Sequence, residues 1–314
     1  MNKFTRITLL IVAVMAGTGI LLCGISALMG GGYGAVRRMA QNGELGDWHV
    51  SDGEDGWFWD DGWFWDDDGF WDDDEDSSKV YTYDAAQVST LKIDIDTTEL
   101  VIEEGAAADQ IVVELYRCKE NYFTEKIAGG DLKLVYDMKN PSRKSIREKI
   151  TVKLPKEMYL ELLSVDAGAA NIRIGHTSLY CDTAEMDIGA GNVEVDGFTV
   201  RGTFDVEAGA GNVDIRGGES HNIKMECSLG NFAMKGRVNG DLEAECSMGN
   251  MELMLSGKES EYNYELSCSM GEMEVNGTVY PMINGSRHQA NEGAIGTIRL
   301  DCAMGNIDLS FLSE

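Results

Sequence analysis

The chain has 314 residues and a formal net charge of −28, from 54 acidic and 26 basic side chains. Binding nucleic-acid phosphates needs a basic face, so this balance excludes nucleic acid as an expected partner. The length suits one large domain plus a tether. The seven cysteines do not form a disulfide framework, because four recur at one position of an internal repeat.

Ile7 to Met29 is a run of 23 residues without a charge. As a helix rising about 1.5 Å per residue it crosses a hydrocarbon core of about 30 Å. It is longer than the roughly 7–15-residue core of a cleaved signal. Residues 1–38 therefore read as an N-terminal membrane anchor with its span at about 7–29. Cleavage near Gly30 is the alternative. Lys3 and Arg6 precede the span and Arg37-Arg38 come after it, so charge does not orient it. An extracytoplasmic domain is expected, since a single N-terminal anchor usually serves to export the rest of its chain.

Residues 39–79 form an acidic linker. Residues 39–78 hold 15 acids and no Lys or Arg, and all six tryptophans lie between Trp48 and Trp71. Like charges at this density self-repel, so the expectation is an extended, disordered stalk. Trp57, Phe58, Trp59, Trp63, Phe64, Trp65, Phe70 and Trp71 recur in pairs or triplets between acid runs. They are candidate partner-binding residues, because aromatic clusters settle at membrane interfaces or dock in a partner's grooves. The acid runs repel anionic lipid, which favours a protein or a cationic partner. Asp66-Asp-Asp-Gly69 lacks the alternating ligand spacing of a calcium loop.

Residues 80–314 read as the folded domain. Leu91–Ile95, Leu100–Ile102, Ile111–Leu115, Leu132–Tyr136, Ile150–Leu154 and Tyr159–Leu163 are short strands. They suggest a β-rich section that caps the N-terminal end of a stack of coils, as exposed coil ends must be covered. Seven copies of one phrase come next, typified by Val206-Glu-Ala-Gly-Ala-Gly-Asn212-Val-Asp-Ile215. From Asn171 the copies step by 21, 20, 19, 19, 22 and 34 residues. A period near 20 with strand alternation marks a solenoid. The inward parity slips between Ala210 and Val213, so the chain turns a corner at Gly211-Asn212. The expected fold is all-β: a single-stranded, β-helix-like solenoid of ~20-residue coils with a β-rich N-terminal cap, behind one transmembrane helix and a disordered stalk.

Stacking turns matching positions into columns. One expected inward column is Ala167, Ile188, Ala208, Cys227, Cys246, Cys268, Cys302; a second is Ala169, Ala190, Ala210, Leu229, Met248, Met270, Met304. The thiol column reads as small buried hydrophobes. Disulfides between neighbouring coils or a metal site are the alternatives, although no CxxC occurs and no histidine shares the column. Six asparagines would form a ladder at the corner. Glu272 breaks it, through a local distortion or a side chain turned to water. Residues 276–297 break the period and suggest a hairpin leaving the stack before the last coil, Ile298–Leu309.

No catalytic constellation emerges, and no cofactor or small-molecule substrate is implied. His49, His176, His221 and His288 are scattered without triad or zincin spacing. Gly-Ala-Gly-Asn has no adjoining helix to bind phosphate. Glu185, Asp187, Glu194, Asp205, Glu207 and Asp214 stand at outward positions. An acid pair serves glycoside hydrolysis, but outward acids arise from alternation in any acidic strand protein.

The strand Val152-Lys-Leu-Pro155, the recurring Gly-Asn-Val/Ile corner and the final Gly305-Asn-Ile-Asp-Leu309 resemble the bacterial putative-adhesin family, a domain of unknown function. The resemblance covers about residues 85–312. It implies a β-solenoid, an envelope location behind one membrane span, and surface attachment, and it brings no catalytic or ligand residues. The Trp/Asp stalk and the Cys/Met columns depart from that pattern. The expected function is a membrane-anchored, non-catalytic envelope protein for adhesion or protein binding, meeting another envelope protein or a surface component. A regulatory partner in envelope-stress sensing, acting through the stalk, is the first alternative. A carbohydrate-active enzyme is the second.

Overall fold

The computed structural model describes residues 78–137, 148–175 and 179–312. The expected membrane anchor and the tryptophan-rich linker lie outside them. Among the described residues no helix is long and apolar enough to cross a membrane. The described chain is built on strands: β1 (Ser78–Asp84), β2 (Thr90–Ile95), β3 (Glu99–Ala106), β4 (Gln110–Tyr116), β5 (Phe123–Ala128), β6 (Asp131–Tyr136), β7 (Lys149–Pro155), β8 (Tyr159–Ala169), β9 (Ile172–Gly175) and β10 (Leu179–Ala190). Next come β11 (Val193–Ala210), β12 (Val213–Leu229), β13 (Phe232–Val238), β14 (Leu242–Met248), β15 (Met251–Ser256), β16 (Tyr262–Val275), β17 (Thr278–Gln289), β18 (Gly296–Met304) and β19 (Ile307–Leu312).

The strands form a parallel, solenoid-like stack. A first face runs β6, β2, β8, β10, β11, β12, β14, β18, β16, all parallel and in register. A second runs β7, β3, β9, β11, β12, β13, β15, β19 and the end of β16. The longer strands β11 and β12 serve both faces. A short return strip places Leu160, Cys181, Val200, Ser220 and Val238 on one buried row. Cys181 is therefore a small apolar filler, and burial pushes its thiol up to about 12.

Alternation explains the core. Leu91, Leu163, Ala184, Phe204, Ile223, Leu242, Ile298 and Tyr264 form one inward column of the first face, and all are buried. Leu100, Ile172, Val193, Val213, Phe232, Met251, Ile307 and Met273 form the matching column of the second. The predicted thiol column is also real. Cys227 (6% exposed), Cys246 (3%), Cys302 (0%) and Cys268 (0%) pair strand to strand. All are free thiols, and among the described residues no group of three or more His, Cys, Asp and Glu is placed to hold a metal.

Two expectations fail. The second predicted column does not point inward: Met248, Met304 and Met270 are 36%, 39% and 56% exposed. The parity slip lies one step earlier than the sequence suggested, before the methionine instead of after it. Methionine does fill the core, but at Met186, Met225, Met234, Met251 and Met273. The stacking order also departs from chain order. The seventh copy (β18, β19) sits between the fifth (β14, β15) and the sixth (β16). The chain runs out along β16, returns antiparallel as β17, and threads back between. The N-terminal end does the same. β2–β3 is a coil lacking Gly-Asn, lodged between β8–β9 and β6–β7. The section expected to be only a cap thus contributes two coils, and its cap proper is the antiparallel β5 on β6 and β1–β4 on β7.

The corner is the strictest local feature. The Gly-Asn peptide turns out of the ladder. Its N–H donates to the side-chain carbonyl of the previous layer's asparagine: Asn212 to Asn192 Oδ1, Asn231 to Asn212 and Asn250 to Asn231, each at 3.1 Å. Its C=O faces the next coil, where Cys227 donates to Gly211 O and Cys246 to Gly230 O, at 3.7 and 3.6 Å. Gly230 has φ +144, and a Cβ there would lie 1.6 Å from Gly211 O. Glu272 ends this ladder: it takes Asn306 Oδ1 at 3.0 Å, its side chain faces water, and no further parallel coil needs an amide from it.

Gly230→Ala is expected to cost more than about 4 kcal/mol, because neither φ nor the neighbouring carbonyl can yield cheaply. Urea unfolding should show loss of the cooperative transition. Asn231→Ala removes one acceptor and one donor inside the ladder and should cost about 1–1.5 kcal/mol. Glu272→Ala at its open end should stay within about 0.5 kcal/mol of the parent. Equal losses at both positions would show that the ladder does not carry the corner.

Candidate binding face

The outward positions of the first face form rows as regular as the core columns. One row reads Asp94, Asp166, Asp187, Glu207, Glu226, Glu245 and Asp301, one carboxylate from each of seven consecutive strands. Neighbours are separated by the strand spacing of about 4.8 Å. Lys133 Nζ lies 3.5 Å from Asp94, and Lys224 Nζ lies 2.8 Å from Glu226 and 3.9 Å from Glu207. Burial and neighbouring charge both act on these carboxylates. Burial, then the charges of Asp187 and Asp94, raise Asp166 above the usual carboxylate range. Burial, then Glu226, raise Glu207. Burial raises Asp205 in the adjoining row, where one carboxylate oxygen lacks a hydrogen-bond partner. The second face carries a shorter row, Glu252, Asp308 and Glu274, in which burial, then Glu274 and Glu252, raise Asp308.

At its C-terminal end the first face dips into an open groove of about 370 Å³ between β14, β18, β16 and β17. Glu243, Glu245, Glu265, Arg287, His288, Arg299 and Asp301 supply its charged lining. Arg299 Nε is 3.4 Å and His288 Nδ1 3.7 Å from the Glu265 carboxylate. Arg287 stacks over the Tyr280 ring of its own strand at 4.3 Å and donates from Nη2 to Tyr264 Oη on β16 at 3.2 Å, which ties β17 to the face. Glu245 and Asp301 stand side by side in one row on adjacent strands. Glycoside hydrolysis needs carboxylates flanking the scissile bond, and this row offers both from the same side. The row presents fixed negative charge that attracts cationic groups.

The acids expected to face outward do so: Glu185, Asp187, Glu194, Asp205, Glu207 and Asp214 are all exposed or half-buried. His221 and His288 lie on the surface, while His49 and His176 fall outside the described residues. The predicted partner-binding residues Trp57, Phe58, Trp59, Trp63, Phe64, Trp65, Phe70 and Trp71 also lie outside them. Sequence reasoning missed Arg287 and Arg299 as groove residues. Their meeting depends on the fold-back of β17 and on β18 threading inward, which no local spacing announces.

The raised carboxylates fix a sign for pH dependence. The folded state binds protons more tightly than the unfolded one, so this stability is fully present at low pH and is lost as pH rises through the raised values. The melting temperature should therefore rise as pH falls from about 7 toward the ordinary carboxylate range near 4. At pH about 7 added salt should raise it too, by screening the rows. A thermal scan across pH and salt checks both; a melting temperature that falls steadily on acidification would contradict this account.

No curated protein matches the chain. Among solved structures it is similar to one described as a putative adhesin from Bacteroides fragilis, at 12% identity and a TM-score of 0.39, covering 74% of this chain and 97% of that one. It is similar to a putative cell adhesion protein from Clostridium sporogenes, at 11% identity and a TM-score of 0.31, covering 76% and 100%. A putative adhesin from Parabacteroides distasonis matches at 10% identity and a TM-score of 0.33, covering 75% and 98%. Residues 88–276, more than half of the chain, match the family described as Toastrack DUF4097, and the chain belongs to that family.

Proposed function

We propose that this protein is a membrane-anchored bacterial envelope protein whose solenoid is a rigid, non-catalytic module for adhesion or protein binding, held on the extracytoplasmic side. One observation carries the binding role: the seven-carboxylate row on the first face. A row fixed at strand spacing is a preorganised template, so a partner loses little in ordering it. Its sign selects a cationic surface on that partner and speeds the encounter at low salt. The uncharged run Ile7–Met29 motivates the anchor. The regulatory alternative places recognition in the tryptophan-rich linker instead.

The test is capture of envelope proteins by the purified chain at low and at high salt. Binding should weaken with salt, and the variant Glu226→Gln/Glu245→Gln/Asp301→Asn should lose most of it while melting no lower than the parent. Deleting residues 52–76 should leave capture intact. Loss on that deletion, with the triple variant unaffected, would move recognition to the linker and overturn the reading.

A further inference from the structure

The three exposed methionines are not scattered. Met248, Met304 and Met270 occupy one position on the consecutive strands β14, β18 and β16, each beside its corner glycine. Elsewhere in the stack that position holds Ala169, Ala190, Ala210 or Leu229. Exposing one methionine needs no explanation; exposing three in register, beside a core that buries methionine well, does. The flanking rows are Ser247, Ala303 and Ser269 on one side and Gly249, Gly305 and Gly271 on the other, so no side-chain charge intervenes.

The spacing matches a ligand geometry. Neighbouring strands lie about 4.8 Å apart, and a metal–sulfur bond is about 2.3 Å. Unbranched methionine side chains at that spacing can bring adjacent thioethers to one ion through their rotatable bonds. Thioether donors select soft, low-charge ions, whereas the oxygen rows elsewhere on the surface suit hard ones. The surrounding negative charge raises the local concentration of any cation. We propose that Met248, Met304 and Met270 form a surface site for a soft monovalent cation of the Cu(I) class.

Thiols could compete for such an ion, and the structure separates the two donor sets. Cys246, Cys302 and Cys268 point inward, are buried, and donate to the glycine carbonyls of neighbouring coils. Burial raises the Cys268 thiol; the Cys227 and Cys302 neighbours raise Cys246, which lowers both of them in turn. A thioether carries no proton to displace, so its affinity does not change with pH, whereas a thiol site weakens as pH falls.

The probe is Ag(I), a redox-stable stand-in, titrated into the full chain in chloride-free buffer at about pH 7.5 and about pH 5, the latter well below the thiol range near 8.5. Binding should be equal at the two pH values and should be abolished in Met248→Leu/Met304→Leu/Met270→Leu. Leucine keeps the volume and removes the sulfur, and near-parent thermal unfolding confirms that the fold is kept. It should survive in Cys227→Ala/Cys246→Ala/Cys268→Ala/Cys302→Ala, since alanine already occupies that column at Ala167 and Ala208. Chelator-buffered Cu(I) should displace the Ag(I), and Zn(II) should not. Retention of binding by the methionine variant, loss of binding at about pH 5, or displacement by Zn(II) would each overturn the site. The comparison of the parent with the methionine variant at about pH 5 decides the matter even if the cysteine variant fails to fold.

Discussion

One peptide group sets the terms for the whole stack. At each corner the Gly-Asn unit leaves the strand ladder and presents its N–H and C=O in directions that no backbone neighbour serves. Side chains complete it where they can. The N–H goes to the asparagine carbonyl of the preceding layer, as Asn250 does to Asn231. The C=O goes to a thiol of the next coil, as Gly230 O receives Cys246. This links three features that look independent in the sequence. Glycine is required because the next layer's Cα rests against that carbonyl. Asparagine is required because its short amide spans one layer. Cysteine is favoured in the later coils because it is small enough for the column and still a donor. Ala167, Ile188 and Ala208 fill the same column in the earlier coils without a donor, so packing alone sustains the position there.

Both ends of the stack solve the edge problem in the same way. A parallel solenoid ends in unpaired N–H and C=O groups, which invite another chain to add on. Here the last coil is covered by the antiparallel β17 and the first by β5 and β4. Each cap is reached by carrying one coil to the outside and threading the next back in. That detour accounts for the 34-residue step before Asn306. It also places Glu272 at the ladder's terminus, where a carboxylate in place of an amide costs no interlayer bond. The groove lined by Arg287 and Arg299 is a by-product of the same detour, so the cap and the most varied surface of the first face have a common origin.

In-register stacking has an electrostatic cost as well as a packing benefit. The rule that places Leu91, Leu163 and Phe204 in one buried column also lines up Asp94, Asp166 and Glu207 on the outside. Neighbouring like charges at strand spacing cost about 1 kcal/mol or less per exposed pair in water, and Asp166 and Glu207, raised first by burial, are raised further by their acidic neighbours. A chain selected for stability alone would alternate signs along the row, as Lys224 does locally between its acid neighbours. On the first face one row keeps a single sign over seven strands, while the row beside it mixes Lys92, Lys224 and Arg299 with acids.

Much of this was legible in the residues because stacked coils amplify a weak local signal. One copy of Ala-Gly-Ala-Gly-Asn says little, whereas seven copies near a 20-residue period specify corner, strand and buried column together. The thiol column, the asparagine ladder and the outward acids were readable for that reason. The side on which Met248, Met304 and Met270 emerge was not. Alternation gives parity only within a regular strand, and the flipped corner peptide breaks it one residue earlier than the hydrophobic pattern suggests. The neighbours of each coil were not readable either. Equivalent phrases fit against one another in any order, so the sequence alone determined the coil and its columns. Only the tertiary structure decided that the seventh coil lies inside the sixth, because covering a bare edge is a demand of the assembled stack and leaves no mark on any single repeat.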